Sequence, residues 1–209
     1  RSTGPRVLRG GIERGRTERL QAVLWLSDLH GFTKIADTVE PDHLVPMLNA
    51  YADCQVTAVE RHGGEVLKFL GDGVLAIFPA ERCDGGPGAH ALDAAEEAFA
   101  AVARTNAARK REGLVTTTMY LGLHVGQVLY GNIGSAERLD FTVVGPAVNE
   151  VSRIAGMAKA VDKDVVISKV FAESAGPARD RLVSLGRYAL RGVRQPQELF
   201  TLDPTAGAR

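Results

Sequence analysis

Residues 63–78 read GGEVLKFLGDGVLAIF, and this stretch decides the fold class of the chain. Two short apolar runs flank the pair Gly71-Asp72, a spacing that predicts a β-hairpin with a tight turn. An earlier apolar run, QAVLWLS over residues 21–27, is typical of a strand that is buried on both faces. The hairpin therefore joins a sheet that already contains a strand from earlier in the chain.

Two helical patterns separate the strands. Pro41 and the apolar residues that follow it predict a helix ending near Gly63, and alanine-rich spacing from Ala91 predicts a second helix ending near Gly113. Residues 28–40 are predicted to form a polar loop, and residues 116–131 a long strand with kinks at glycines. The order β-α-β-β-α-β over residues 21–131 is the split βαβ, or ferredoxin-like, motif.

Further elements follow this core. We predict a strand over residues 139–144, a helix over about 147–159, a strand over 164–168 and two late strands over 181–191 and 197–202. The fold class is therefore α+β, with a ferredoxin-like βαββαβ core and additional C-terminal αβ elements. Residues 1–20 are predicted to be an arginine-rich arm that links to an upstream domain, residues 21–203 one folded domain, and residues 204–209 a tail.

Composition excludes several classes of protein. Hydrophobic residues make up 45% of the 209 residues and charged residues 24%, which are the values of an ordinary globular domain. No apolar run approaches the ~20 residues needed to cross a bilayer, so we expect no membrane span. The 25 basic and 25 acidic side chains balance, which argues against a nucleic-acid partner. Two cysteines are too few for a disulfide scaffold, and we expect a reducing, cytoplasmic location.

The order of elements brings two carboxylates together. In a split βαβ arrangement the first and third strands are antiparallel neighbours, so Asp28 at the end of one lies beside Asp72 at the start of the other. Like charges this close repel unless a cation lies between them, and carboxylate and carbonyl oxygens suit Mg²⁺. Taken alone, Asp28 is equally explained as a helix cap and Asp72 as a turn residue. The convergence of the two favours a metal site.

A second cluster lies in GPAVNEVSR, residues 145–153. Asn149 and Arg153 are four residues apart and share one face of a helix, and the guanidinium group is suited to phosphate oxygens. Each is also compatible with an ordinary surface role when it is considered alone.

Four segments then reveal a resemblance: SDLHGFT, GGEVLKFLGDGVLAIF, LGLHVGQVLYGNIGS and LDFTVVGPAVNEVSR. In this order and spacing they resemble the class III nucleotidyl cyclase catalytic domain, from about Gln21 to Leu202. The resemblance implies conversion of a nucleoside triphosphate into its 3′,5′-cyclic monophosphate and pyrophosphate, with two divalent metal ions, Mg²⁺ or Mn²⁺. Residues 204–209 lie beyond it.

The resemblance also implies roles for particular residues. Asp28 and Asp72 match the metal-binding aspartates, and the Leu29 carbonyl lies beside a metal. The implied phosphate contacts come from the backbone of Gly31, Phe32 and Thr33. Asn149 matches the residue that positions the ribose, Arg153 the arginine at the α-phosphate, and Arg191 a lysine that contacts the terminal phosphates in relatives.

Base choice depends on Lys68 and Thr142. Lys68 matches the lysine that adenylate cyclases direct at adenine, and Thr142 occupies its partner position, where many relatives have Asp. A lysine can donate to a ring nitrogen and a threonine hydroxyl can accept from the exocyclic amine. The resemblance therefore favours an adenylate cyclase that uses ATP, of the threonine subgroup that includes bicarbonate-responsive enzymes.

The family also implies a partner. Its members work as head-to-tail dimers in which the metal aspartates come from one subunit and the residues at the base, ribose and α-phosphate from the other. This chain carries both sets, so the resemblance implies a homodimer with two composite sites. The alternatives are a guanylate cyclase, a catalytically silent nucleotide-binding or regulatory dimerisation domain, and a plain α+β scaffold without a ligand.

Three further residues lie within the segments that resemble the family. Pro146 stands where relatives usually have a polar residue, and a proline at a helix start is tolerable. His30 lies inside the metal loop, and we expect it to contact solvent or the terminal phosphates rather than to bind metal. His124 lies in a strand pattern, and we expect it to pack in the core.

Overall fold

A computed structural model of the chain describes residues 17–134 and 139–204, which form one mixed sheet with helices on both faces. The strands are β1 (Thr17–Leu29), β2 (Glu65–Leu70), β3 (Gly73–Pro79), β4 (Met119–Gly134), β5 (Leu139–Val144), β6 (Val165–Ser168), β7 (Leu182–Tyr188) and β8 (Gln197–Leu202). The α-helices are α1 (Phe32–Thr38), α2 (Pro41–Arg61), α3 (Pro87–Arg111), α4 (Pro146–Ala155), α5 (Ala158–Val161) and α6 (Lys169–Ser174). Short 3₁₀ turns cover Ala80–Arg82 and Gly176–Arg181.

The strand order confirms the ferredoxin-like core. The sheet runs β2-β3-β1-β4-β6-β8-β7, and β5 pairs with β4 outside this path. β1 lies between β3 and β4 and is antiparallel to both, with Leu24 opposite Ile77 on one side and His124 on the other. The parallel pair β4–β6 joins the C-terminal elements to the core. The hairpin that residues 63–78 predict is therefore present as β2–β3, and its second strand is the neighbour of β1.

The sheet is covered on both faces, as the alternation of side chains along β1 requires. Val23 and Trp25 face the main core, which α2 and α3 close, whereas Ala22 and Leu24 face a second cluster beneath α4. The amphipathic face of α4 lies close to β4 at two glycines. A Cβ atom at Gly122 or Gly126 would lie 2.7 Å from the backbone or side chain of α4. The glycines predicted as kinks thus allow α4 to approach the strand.

Three predicted boundaries were wrong. Residues 28–40 are not a continuous loop, because Phe32 and Ile35 pack against the main core and α1 forms around them. The helix predicted over about 147–159 is two helices, α4 and α5, separated at Gly156, a residue of low helix propensity. The first strand begins at Thr17 rather than Gln21, since pairing with β4 extends over polar residues. The helix α6 was not predicted.

The predicted N-terminal arm and C-terminal tail fall largely outside the described residues. Residues 1–16 and 205–209 are not described, and residues 17–20 belong to β1. In the part of the chain that is described, none of the helices is both long enough and apolar enough to cross a membrane.

Candidate active site

The two aspartates meet at one end of the sheet. Asp28 is near the end of β1, and Asp72 lies in the turn that opens β3. The Leu29 amide donates to Asp72 Oδ2 over 2.9 Å, and the carboxyl group of Asp72 is close enough to Asp28 to act on its charge. The structure therefore brings together the carboxyl groups that the strand order predicts to be neighbours. We call Asp28, Asp72 and residues 29–33 the aspartate edge.

The electrostatics of the aspartate edge suit a cation. Asp28 as a whole is exposed, but partial burial of its carboxyl group, followed by the interaction with the Asp72 carboxyl group and its negative charge, raises the pKa of Asp28 to about 6. The Leu29 backbone acts in the opposite direction. Within residues 17–134 and 139–204, no group of three His, Cys, Asp or Glu side chains forms a metal cluster. Two carboxylates with few other protein ligands fit Mg²⁺ or Mn²⁺, which keep positions for water and substrate phosphates.

The hairpin is fixed tightly against β1 beneath these carboxylates. A Cβ atom at Gly73 would lie 2.2 Å from the Ser27 carbonyl oxygen, so the close approach requires glycine. The Val74 amide donates to Ser27 Oγ over 3.2 Å, and the Ser27 hydroxyl donates to Gln55 Oε1 of α2. Ser27 and Gln55 are both buried. These contacts fix the backbone on either side of the two aspartates.

The loop between β1 and α1 presents backbone groups at this edge. The side chains of Leu29 and Phe32 pack against the main core, whereas Gly31 and Thr33 are exposed. His30 is exposed and its ring lies 4.9 Å from the ring of Tyr120, centroid to centroid. His30 is therefore open to solvent, and its role towards the terminal phosphates or a metal stays a prediction.

The arginine residues lie on a different part of the surface. Asn149 is exposed on α4, and Arg153, one turn later, is half-buried. Arg153 Nη1 donates to Glu150 Oε2 over 3.0 Å, and its Nη2 lies 3.8 Å from the ideal Cβ position of Gly192. Gly192 follows the exposed Arg191 in the connection between β7 and β8. The structure thus places Arg153 beside the loop that carries Arg191; we call Asn149, Arg153 and Arg191 the arginine face.

The two residues predicted to read the base lie on β2 and β5, two strands that do not pair in the sheet but pack against one apolar cluster. Lys68 is half-buried on β2, at one edge of the sheet, and pairs with Leu75 after a bulge. Thr142 is buried on β5. Leu67 and Phe141, which precede these residues in the chain, pack in the same apolar cluster. A donor from Lys68 and a hydroxyl from Thr142 are therefore carried by adjacent parts of the fold.

Comparison with known proteins agrees with this geometry. Residues 17–204 match the family described as "Adenylate and Guanylate cyclase catalytic domain". The chain belongs to this family. The match covers all the described elements, from β1 to β8.

Individual members of the cyclase family are similar to this chain in sequence and in fold. An uncharacterized protein of Mycobacterium tuberculosis (strain CDC 1551 / Oshkosh) is 34% identical over 186 residues, which cover 88% of this chain and 32% of the relative. "Adenylate cyclase 1" of Rhizobium meliloti is 31% identical over 167 residues, covering 78% of this chain and 25% of the relative. The chain thus spans about a third or less of these relatives. The crystal structure of the guanylyl cyclase Cya2 superposes with a TM-score of 0.77, at 28% identity, over 90% of this chain and 96% of that one.

Two features of this cyclase-family domain were missed in the sequence. Glu150 pairs with Arg153 at a spacing of three residues, a relationship that helical periodicity alone could have indicated. Thr117 donates from its hydroxyl group to the carbonyl oxygen of His30, although the two residues are 87 positions apart. No local pattern marks Thr117, because this contact depends on the register in which β1 pairs with β4.

Pro146 and His124 have simple structural roles. Pro146 is the first residue of α4, where a proline is well accommodated. His124 is buried, and its Nδ1 lies 2.9 Å from Ser168 Oγ. Burial lowers the pKa of His124, although the charge of Glu150 opposes this shift. The prediction of a core role for His124 is confirmed.

Proposed function

We propose that the domain is an adenylate cyclase. In the proposed reaction, the 3′-hydroxyl of ATP loses its proton and its oxygen forms a bond to the α-phosphorus. The bond from that phosphorus to the bridging oxygen breaks, which gives 3′,5′-cyclic AMP and pyrophosphate. The observation that carries the proposal is the contact of Asp28 with Asp72 at the aspartate edge. Paired carboxyl groups with a raised pKa are expected where a cation and a polyphosphate bind together.

The aspartate edge would hold the metal and the phosphates. Asp28, Asp72 and the Leu29 carbonyl are the proposed ligands of two divalent ions, Mg²⁺ or Mn²⁺. When bound, such ions stabilise the attacking and leaving oxygens of an in-line displacement. The exposed backbone at Gly31 and Thr33 is available for phosphate oxygens, whereas the Phe32 side chain anchors this loop in the core.

The arginine face would act on the ribose and the phosphates. Asn149 orients the ribose through its amide, and Arg153 donates to the α-phosphate as charge shifts towards the leaving group. Arg191 contacts the terminal phosphates. Phosphoryl transfer requires positioning and charge stabilisation more than covalent chemistry, and donors on a helix and a neighbouring hairpin can supply both.

Lys68 and Thr142 would select adenine. A lysine donor and a hydroxyl acceptor match the ring nitrogen and exocyclic amine of adenine. The name of the Rhizobium relative agrees with this choice, whereas the Cya2 structure is titled a guanylyl cyclase and keeps the alternative of a guanylate cyclase open. We also propose that Thr142 places the domain in the threonine subgroup, whose other members include bicarbonate-responsive enzymes.

We propose that the active form is a head-to-tail homodimer. One protomer supplies the aspartate edge, and its partner supplies Lys68, Thr142 and the arginine face. Each protomer carries both sets, so one dimer holds two complete sites. The long relatives support a further proposal, that the residues preceding the catalytic domain connect it to a regulatory domain.

Turnover of the purified chain tests the proposal. We expect cyclic AMP and pyrophosphate from ATP with Mn²⁺ or Mg²⁺, and little cyclic GMP from GTP. The Lys68→Glu/Thr142→Cys double variant should lower kcat/KM for ATP and raise the share of GTP used, since a mismatched donor and acceptor reject the wrong base. If neither cyclic AMP nor cyclic GMP forms, the result favours the silent regulatory domain. Preferential use of GTP would favour the guanylate cyclase.

A further inference from the structure

A polar network on the helical side of the sheet leads to the aspartate edge. The Tyr51 hydroxyl of α2 donates to Asn106 Oδ1 of α3 over 2.5 Å, and it accepts from the Thr117 amide over 3.0 Å. Asn106 Nδ2 donates to the Thr117 carbonyl oxygen over 2.7 Å. The side chains of two helices therefore satisfy both backbone polar groups of Thr117, which lies just before β4.

The network continues from Thr117 into the loop between β1 and α1. Thr117 Oγ1 donates to the His30 carbonyl oxygen over 2.7 Å, and the His30 amide donates to the Thr118 carbonyl oxygen over 2.9 Å. Both backbone polar groups of His30 are thus held by residues 117 and 118. His30 follows Leu29, whose carbonyl group is a proposed metal ligand, so these bonds set the direction of that part of the loop.

We propose that Thr117 is a positioning residue for this loop. Tyr51 and Asn106 fix its backbone, and its hydroxyl holds the loop in the conformation that binds the divalent ion. The assignment of the loop as a metal site rests on the proposed function, whereas the hydrogen-bonded support does not. Apparent affinity falls in proportion to the population of the binding-competent conformation. A typical intramolecular hydrogen bond is worth about 1 kcal/mol, which corresponds to a factor of about five in the equilibrium constant between the competent and the open conformations. About five is therefore the upper limit for the loss of apparent affinity.

Three variants of the full chain isolate the hydroxyl group. Thr117→Val removes it and keeps the shape of the side chain, Thr117→Ser keeps it, and Thr116→Val is a matched control one residue away. Hydrogen–deuterium exchange of the peptide that covers residues 28–33 measures loop opening without any ligand. Binding of Mn²⁺, followed by the electron paramagnetic resonance signal of the free ion, measures the site without turnover.

We expect Thr117→Val to speed exchange in residues 28–33 and to weaken Mn²⁺ binding by up to about fivefold. Thr117→Ser and Thr116→Val should match the wild type in both measurements. Equal exchange and equal Mn²⁺ binding in Thr117→Val and Thr116→Val would overturn the proposal. So would a Thr117→Ser variant as impaired as Thr117→Val, because the methyl group would then be the important part. If exchange responds as expected but wild-type Mn²⁺ binding does not depend on Asp28, the metal site of the proposed function fails and the support of the loop stands.

Discussion

The aspartate edge and the arginine face are held by the fold in different ways. At the aspartate edge, neighbouring antiparallel strands carry Asp28 and Asp72, and the backbone around them is fixed by Gly73 and the buried pair Ser27–Gln55. The arginine face consists of side chains that project from one helix and one hairpin loop. Arg153 is fixed there by an ion pair with Glu150 on its own helix.

This difference separates a rigid half of the site from an adjustable half. Moving the backbone of Asp28 relative to that of Asp72 would require strand β1 to shift against β3, whereas the long side chain of Arg153 can carry its guanidinium group to a new position by rotation of several bonds. Partly exposed ion pairs at helical spacing contribute only about 0.3–0.5 kcal/mol, so a phosphate can compete with one. We infer that the metal half is preorganised and that substrate completes the arrangement of the other half.

The largest expected effect comes from removing a carboxyl group from the aspartate edge. Asp28→Ala and Asp72→Ala should each lower kcat by at least about a hundredfold with Mg²⁺, because charge stabilisation at the phosphates is lost. The two variants should differ in stability. Asp72→Ala also removes the acceptor of the Leu29 amide, whereas Asp28→Ala removes a charge from a repelling pair. Steady-state kinetics and thermal unfolding measure the two effects, and a wild-type rate in either variant would contradict the two-metal mechanism.

The proximity of Asp28 and Asp72 could be predicted from the sequence, for a physical reason. Runs of apolar residues and tight turns gave the order of elements, and that order has few allowed topologies. Adjacency of β1 and β3, and hence of Asp28 and Asp72, follows from the topology alone. The helix α1 escaped prediction because its stretch is short and mostly polar, and only packing of Phe32 on the core reveals it.

The supports of the site could not be predicted. Tyr51, Asn106 and Thr117 come from three separate elements, and their hydrogen bonds depend on how α2 and α3 pack against the sheet. Periodicity places Tyr51 on the apolar side of its helix but does not identify its partner. The pairing of Glu150 with Arg153 was within reach, since it needs only helical spacing.

The second prediction concerns removal of the Arg153 side chain from the arginine face. Removal of one hydrogen-bond donor to the charge of a transition state typically costs a factor on the order of 10²–10³ in kcat, and we expect a loss of up to this size for Arg153→Ala. KM should change less, because the contact with the α-phosphate forms chiefly as charge develops. Steady-state kinetics with ATP separate the two parameters. A raised KM with an unchanged kcat would make Arg153 a residue of ground-state binding.

The third prediction tests whether the two halves come from different protomers. Asp28→Ala and Arg153→Ala should each be inactive alone, but a mixed dimer has one site with both lesions and one with neither. With random exchange, half of the dimers are mixed, so about a quarter of wild-type activity should return. The concentration must be high enough to form dimers.

The control for this experiment is a mixture of Asp28→Ala with Asp72→Ala. Both changes lie at the aspartate edge, so every site remains damaged and no activity should return. Recovery in this control equal to that in the first mixture, or no recovery in the first mixture when subunit exchange is demonstrated, would contradict the composite site.

The fourth prediction concerns the ion pair that distinguishes the arginine face. Glu150→Gln keeps an acceptor for Arg153 but removes the negative charge, so phosphate should compete more easily for the guanidinium group. We expect kcat with ATP to rise about twofold, the size of a partly exposed ion pair at helical spacing, and KM to change less. Glu173→Gln, which removes the partner of Lys169 on α6, is a matched control. An equal rise in kcat when Arg153 is already alanine would show that Glu150 acts by another route.

The last prediction concerns the charge of Asp28 in the absence of metal and substrate. The pKa of Asp28 in the folded protein is about 6, above the ~3.9 of an unfolded chain, because of burial and the neighbouring Asp72. Between these values the folded state binds more protons, so the stability of the metal-free protein falls as pH rises from about 4 to 6 and remains lower above it. Asp28→Asn keeps a hydrogen-bonding side chain and removes this titration. In EDTA, its Tm should exceed that of the wild type at pH 7.5 and gain nothing at pH 4, whereas Asp37→Asn on the exposed side of α1 should change neither. A Tm for Asp28→Asn that is lower than the wild type at pH 7.5 would mean that Asp72 does not destabilise the charged form of Asp28, and that the aspartate edge is not held together against repulsion.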